Sequence, residues 1–293
     1  MPAGLRASIL VIGDEILGGF VQDTNSGWLA GRLQALGIPL DRIVTVPDEV
    51  TAIDEALRTE LARDRPRVVV TSGGIGSTPD DVTAAAVAYH LGVDLVVQPD
   101  IDARITGALE RAASQGVTVP EDQARSMRKM ARVPLGAYLF TGAPGLAPGI
   151  AVDVDGGSSR PGGATVVVLP GVPGELRRSM LEGVEPALLE GRGQPQHVAE
   201  LAHPYPESVL NPVLQRLVAE FPDLHVGSYP GRRCVVRLKG AKERVEAAMT
   251  LVRAGLADLD ADPSTIRLKT SWQSRWDERE PEAEGRRSQA SVT

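Results

Sequence analysis

Aromatic residues make up only 3% of the 293 residues, so a core has to be built from Val, Leu, Ile and Ala. Cysteine is almost absent: Cys234 stands alone. A disulfide within the chain and a cysteine-based zinc site are therefore excluded. Its apolar surroundings predict a buried, inert thiol. Lysine is confined to Lys129, Lys239, Lys242 and Lys269, the other basic residues being arginines, a bias read as genomic rather than functional. The net charge of −7 argues against nonspecific nucleic-acid binding by the chain as a whole. No apolar run is long enough for a membrane span or a signal peptide, so a soluble, cytoplasmic protein is expected. His90, His197, His203 and His225 show no metal-binding spacing. There is no G-x-x-x-x-G-K-S/T phosphate loop, no G-x-S-x-G and no complete Rossmann G-x-G-x-x-G.

What is present is concentrated between Val68 and Thr83. Val68-Val69-Val70 is a β-branched run of the kind buried in parallel sheets. It breaks at Ser72-Gly73-Gly74-Ile75-Gly76, where backbone amides can crowd around an anion with no Cβ in the way. Thr78-Pro79-Asp80-Asp81 reads as a helix start, with Thr78 as N-cap, Pro79 in the first helical position and Asp81 as the capping-box acid. Strand, glycine loop, helix N-terminus is a phosphate-binding layout. Two acids beside it would repel a bare phosphate. A divalent cation bridging carboxylate and phosphate resolves the conflict; the plainer reading is that the acids favour the helix dipole. The plainer reading is preferred for Asp80 and the metal reading for Asp81.

The preceding chain gives that loop a context. Ala7 to Ile12 reads as a buried strand ending at Gly13-Asp14-Glu15. Asp23-Thr24-Asn25-Ser26 caps a helix carrying Trp28, Leu29, Leu33 and Leu36, stopped by Gly37. Leu40 to Val46 is a second strand ending at Pro47-Asp48-Glu49, and a helix from Thr51 ends at Arg65-Pro66. This alternation predicts parallel strands joined by right-handed crossovers, with ligands outside the carboxyl ends of the strands. Three acids lie just past three of those ends: Asp14 or Glu15, Asp48, and Asp81. Neighbouring strands are about 4.8 Å apart, so these carboxylates can converge on one metal–phosphate centre.

Beyond Gly92 the pattern predicts a strand from Val93 to Val97, helices from Pro99 to about Ser114 and after Pro120, and a strand from Leu135 to Phe140. A glycine–proline loop, Gly142 to Gly149, leads to a hairpin of Ile150 to Val154 with Thr165 to Leu169. Leu169-Pro170-Gly171-Val172-Pro173-Gly174-Glu175 is another strand–loop–helix junction, stiffened by its prolines. Glu190 to Gln196 is the linker candidate. The expected domains are 1–190, a nucleotide domain, and 197–262, a small α+β unit. The polar stretch 269–293, with Trp272 and Trp276, is expected to be a disordered tail. Arg232, Arg233, Arg237, Lys239 and Lys242 cluster in the small unit. Without interleaved aromatics they read as a solvated face rather than a nucleic-acid site.

Gly13-Asp14-Glu15, the Ser72-to-Thr83 loop, Ala147-Pro148-Gly149 and Leu169 to Glu175 together resemble the molybdopterin-binding-like domain of the CinA (competence/damage-inducible) family. That family relates more distantly to the MoaB, MogA and MoeA proteins of molybdenum-cofactor synthesis. The resemblance covers about residues 5–190. The smaller unit, with Val226-Gly227-Ser228-Tyr229-Pro230, is similar to the region that follows in CinA. The amidohydrolase domain that many CinA proteins carry at their C-terminus has no counterpart in these residues. The resemblance implies an α/β fold, a three-layer parallel or mixed sheet flanked by helices, with a smaller α+β unit and a metal-dependent nucleotide site. For CinA-type domains the implied activity is hydrolysis of ADP-ribose to AMP and ribose 5-phosphate. For the cofactor-synthesis relatives it is molybdopterin adenylylation or metal insertion.

The acids important in those relatives fall on Glu15, Asp48 and Asp81. These are the expected metal ligands, with Asp48 and Asp81 also catalytic. Ser72, Gly73, Gly74, Gly76, Thr78, Asn25, Gly145, Pro170 and Gly171 make the expected phosphate- and nucleotide-binding set. The implied cofactor is a divalent cation (Mg²⁺, Mn²⁺ or Co²⁺), with K⁺ as a further candidate. The implied partners are a small nucleotide or pterin and other copies of the chain. Ser77 stands where the family usually has Pro, and Gly142 where it has Asn. The reading is a metal-dependent nucleotide pyrophosphatase acting on ADP-ribose. The alternatives are a molybdopterin adenylyltransferase-like enzyme and a non-catalytic pterin- or nucleotide-binding module.

Overall fold

The computed structural model describes residues 4–140, 145–231 and 233–265. Gly142, Arg232 and the tail with Lys269, Trp272 and Trp276 lie outside them. The chain divides into two units, one ending at Pro195 and one beginning at Gln196.

The first unit is built on a six-stranded sheet. Its strands are β1 (Arg6–Ile12), β2 (Leu40–Val46), β3 (Arg67–Ser72), β6 (Tyr138–Leu139), β7 (Ile150–Val154) and β8 (Ala164–Leu169), in the order β2-β1-β3-β8-β7-β6. The first four of that order run parallel; β7 is antiparallel to both β8 and β6. The central strands β3 and β8 are buried at every residue, which is why they read as unbroken β-branched runs rather than alternating ones.

In β1 the alternation of side chains divides the core. Ala7, Ile9 and Val11 face α2 (Asn25–Ala35), α7 (Pro173–Ser179) and the π-helix Met180–Leu189, meeting Leu29, Leu33, Leu176 and Val184. Leu10 and Ile12 face α3 (Val50–Leu61), α4 (Thr83–Leu91) and α5 (Pro99–Ser114), meeting Ile53, Leu57, Val87 and Ile101. The result is the helix–sheet–helix layering of an α/β domain.

The structure departs from the sequence pattern in three places. Helix α4 begins at Thr83, not at Pro79. The Asp81 carboxylate accepts from the Thr78 amide (2.7 Å) and the Thr78 hydroxyl (2.5 Å), closing a turn that holds Pro79 outside the helix. The strand expected over Leu135 to Phe140 shrinks to β6. A separate ribbon forms instead from β4 (Leu95–Val97) and β5 (Arg132–Pro134), the latter following α6 (Glu121–Lys129). Three residues ending in proline are too few to show an alternation. Finally, Met180–Leu189 is a π-helix with Pro186 inside it, and Glu185 in that helix is held to Arg32 by two bonds of 2.7 and 2.8 Å.

At the N-terminal end of the sheet lies a buried polar network. Arg67, fully buried, donates to Ser8 Oγ (2.8 Å) and pairs with Asp41 (2.5 Å). Ser8 donates to Glu60 (2.7 Å), and Arg6 also pairs with Asp41. Against burial, which alone would raise it, the Arg6 and Arg67 guanidiniums hold the Asp41 carboxyl below its ordinary value.

The second unit comprises β9 (His197–His203), α8 (Glu207–Glu220), β10 (His225–Tyr229), β11 (Cys234–Gly240) and α9 (Lys242–Ala261). Its antiparallel sheet has the order β10-β11-β9, and its core joins Leu210, Leu217, Val236, Leu238, Val245 and Val252. Cys234 is buried, as its surroundings predict. Within the basic cluster Arg237 is committed: it pairs with Glu200 (2.6 Å) and lies 4.6 Å over the Tyr229 ring. Among the described residues no helix is long and apolar enough to cross a membrane.

His203 is buried, and neither ring nitrogen makes a hydrogen bond of normal geometry. Burial pushes its pKa down and the Arg233 charge adds to this, while the Tyr205 backbone and Glu207 oppose it. A buried neutral histidine contributes stability that is present above its unfolded pKa, about 6.5, and is lost as pH falls toward the lower folded value. The amides of β9 should therefore lose hydrogen-exchange protection as pH drops below about 6.5. His203→Leu should flatten that dependence; an unchanged slope in the variant would place the effect elsewhere.

Candidate phosphate-binding site

The site is built where β1, β2 and β3 end. Because β1 lies between the other two, the segments leaving their ends are neighbours. Gly13 N–H bonds Val46 O (3.2 Å), and Asp14 N–H donates to Asp48 Oδ2 (2.9 Å). The other Asp48 oxygen stands 3.3 Å from where a Cβ on Gly74 would be. Asp48 thus spans from the segment after β1 to the loop after β3. The Glu15 carboxylate folds back over Gly13, at the start of α1 (Asp14–Leu17), 2.7 Å from an added Cβ there.

Burial raises the Asp48 pKa; the Asp14 amide opposes this, and the negative charges of Glu15, Asp14 and Asp80 add to it. Asp80, read from the sequence as a helix-dipole residue, stands in front of α4 and adds its charge to this acidic edge. Asp81 turns instead to Thr78 and lies beneath Gly76, 2.7 Å from an added Cβ. Among the described residues no three His, Cys, Asp or Glu side chains form a group that could hold a metal ion. Glu15, Asp48 and Asp81 are therefore not a ready-made cage. A Mg²⁺-like cation at this edge fits only by drawing on one or two carboxylates and completing its shell with phosphate oxygens and water.

The glycine loop is fixed by its neighbours. Gly73 has φ 108°, and a Cβ there would stand 2.2 Å from Ile12 O. Gly74 has φ 68°, and its Cβ would meet Thr83 Oγ1 at 2.2 Å. Neither position accepts a side chain. Thr83 holds the loop by its carbonyls: Thr83 Oγ1 donates to Gly73 O (2.9 Å) and Thr83 N–H to Gly74 O (3.0 Å). The N–H groups of Ile75, Gly76 and Ser77 have no acceptor among the described residues. Three such donors in succession are left open to an acceptor from outside the described residues.

Two hollows flank the loop and divide the expected residues. The smaller, about 120 Å³, is walled by Glu15, Asn25, Ser72, Gly73 and Gly171. Asn25 Nδ2 donates to Ser72 Oγ (3.0 Å) and to Gly171 O (2.8 Å), while its buried Oδ1 has no partner. The larger, about 280 Å³, lies under Gly74, Gly76 and Asp81. Pro170 only precedes Gly171, and Gly145 accepts from Arg104 (3.3 Å) without walling either hollow. Two cations in the larger hollow escaped the sequence reading, Lys129 and Arg132. Lys129 Nζ donates to Thr78 O (2.6 Å) and Pro79 O (3.3 Å), tying α6 to the turn after the loop. Its rarity in an arginine-rich chain was the one available signal; Arg132 carried none.

The mainly parallel α/β sheet thus gathers the bare amides, Asp48 and two hollows at its strand ends, the place where sheets of this kind hold ligands. Residues 8–190 match the family model described as "Probable molybdopterin binding domain", and the chain belongs to that family. A protein of Pyrobaculum calidifontis is 37% identical over 227 residues, covering 76% of this chain and 80% of the relative. A "CinA-like protein" of Mycobacterium sp. (strain JLS) is 41% identical over 173 residues, covering 59% of this chain but only 39% of the relative. Among solved structures, the CinA protein of Thermoplasma acidophilum is 30% identical with TM-score 0.49, covering 61% of this chain and 95% of its own.

Proposed function

We propose that the first unit binds a phosphorylated pterin or nucleotide at this edge and acts on its phosphate with the help of a divalent cation. The observation that carries the reading is the run of acceptor-less amides at Ile75, Gly76 and Ser77 beside Asp48. The amides would hold the phosphate, and Asp48 with Glu15 would offer oxygen ligands to a cation, which when bound neutralises phosphoryl charge. Family membership favours a pterin as the organic part. The first reading is therefore adenylyl transfer: a molybdopterin phosphate oxygen attacks the α-phosphorus of ATP and pyrophosphate leaves.

The second reading is hydrolysis of ADP-ribose, favoured by the raised pKa of Asp48. A carboxylate shifted in that direction is a better proton acceptor for an attacking water, whose addition to phosphorus would release AMP and ribose 5-phosphate. Incubation with Mg²⁺, Mn²⁺ or Co²⁺, with and without K⁺, followed by chromatography, separates the readings. ATP-dependent appearance of adenylylated molybdopterin with ADP-ribose untouched supports the first. AMP from ADP-ribose, stopped by EDTA, supports the second. Saturable binding with no turnover of either would leave a binding module and overturn catalysis.

A further inference from the structure

The larger hollow has features that phosphate chemistry does not use. Its volume, about 280 Å³, falls just short of the roughly 300 Å³ at which small-molecule pockets begin. Its walls are mostly apolar: Ile75 from the loop, Leu95 from β4, Met130 and Val133 around β5, and Ile150 from β7. The space exists because α4 presents only Ala84 and Ala85 to it, both half-buried. A phosphate held by the loop amides needs none of these side chains.

An exposed arginine borders this apolar chamber. Arg132 is among the residues lining the hollow and pairs with no side chain among the described residues. It is fixed at its backbone by the β4–β5 ribbon, where it stands opposite Val97. Lys129, by contrast, is already spent on the Thr78 and Pro79 carbonyls. An apolar hollow bordered by a planar two-donor fork suits a fused heteroaromatic ring whose edge offers two adjacent acceptors. Arginine recognises a keto oxygen beside a ring nitrogen in this way. A purine or pterin bearing a keto group presents that edge; adenine presents an amino group in place of the keto oxygen.

Resting on the phosphate-site reading above, we propose that the hollow between α4 and β5 seats the ring of the bound ligand and that Arg132 selects a keto-bearing ring over an amino-bearing one. The phosphate then reaches the loop amides at the hollow's upper wall, where Gly74 and Gly76 line it.

Calorimetry on the full chain with inorganic pyrophosphate, ribose 5-phosphate, AMP and GMP tests this. All four should bind, and GMP should bind about tenfold more tightly than AMP, the discrimination that a matched bidentate arginine contact gives. AMP should in turn bind more tightly than ribose 5-phosphate. Arg132→Gln should bring GMP to the AMP level. Ala85→Leu, which fills the hollow from a position where leucine suits a helix, should bring both to the ribose 5-phosphate level while leaving pyrophosphate unchanged. Equal binding of GMP and ribose 5-phosphate, with pyrophosphate still bound, would overturn the ring seat. GMP no tighter than AMP would overturn the role of Arg132. Failure of pyrophosphate to bind would overturn the phosphate-site reading itself. Unchanged melting temperatures for both variants show that each has folded.

Discussion

Arg67→Ala should lower the melting temperature by roughly 6–20 °C while leaving activity per folded molecule intact. Arg67 is fully buried at the start of β3 and joins Asp41 to Ser8, which in turn holds Glu60. Removing one partner of a buried ion pair leaves an uncompensated charge and costs about 3–5 kcal/mol. At roughly 2–4 °C per kcal/mol for a domain of this size, the shift follows. Arg6 remains on Asp41 in the variant and limits the loss. The network sits at the strand starts, at the opposite end of β1 and β3 from Asp48 and the glycine loop, so no contact of the phosphate site is removed. Scanning calorimetry checks the first half and an assay normalised to folded protein the second. A shift under 2 °C would show that the network contributes specificity of packing rather than stability.

This network was not legible beforehand. Arg67 and Glu60 look like ordinary surface charges in a sequence, since long-range pairing between β1, β2 and β3 decides their burial. What was legible came from local physics. The β-branched run at Val68–Val70 marked a buried parallel strand because both faces are covered there, and Thr165 to Leu169 read as the hairpin partner of Ile150 to Val154, which it is. Pro99 to Ser114 was placed correctly because Pro, acids and amphipathic spacing agree along sixteen residues. The Thr78-Pro79 helix start failed because the same residue types that cap a helix also close a turn, and only the Thr83 contacts with Gly73 and Gly74 choose between them. The acids at strand ends were foreseen as a set. Which of them face one another was not, because it depends on loop conformation: Asp80 adds its charge to Asp48 while Asp81 bonds Thr78. Lys129 and Arg132 reach the site from an excursion of the chain that no strand-end rule includes.

Asp48→Asn should lower turnover by about a hundredfold or more, the range for loss of a general base, with little change in melting temperature. Asparagine keeps an oxygen for the Asp14 amide that Asp48 now accepts, so the junction between the ends of β1 and β2 survives while the charge is lost. The metal-free protein offers a separate readout of that charge. Because burial first, and the charges of Glu15, Asp14 and Asp80 in addition, raise the Asp48 pKa, its carboxyl followed by NMR without added cation should titrate above the usual carboxylate range, and a cation held there should lower it.

Glu15→Gln removes one of those charges and should move the metal-free titration of Asp48 to lower pH; an unmoved midpoint would show that the Glu15 charge does not reach Asp48. Asp81→Asn tests the third acid separately. It retains an acceptor for the Thr78 amide and hydroxyl, so stability should change by about 1 kcal/mol, and with the cation left to Asp48 and Glu15 turnover per folded molecule should be kept. Loss of turnover in a folded variant would show instead that the Asp81 charge serves the cation as well as the turn after the glycine loop.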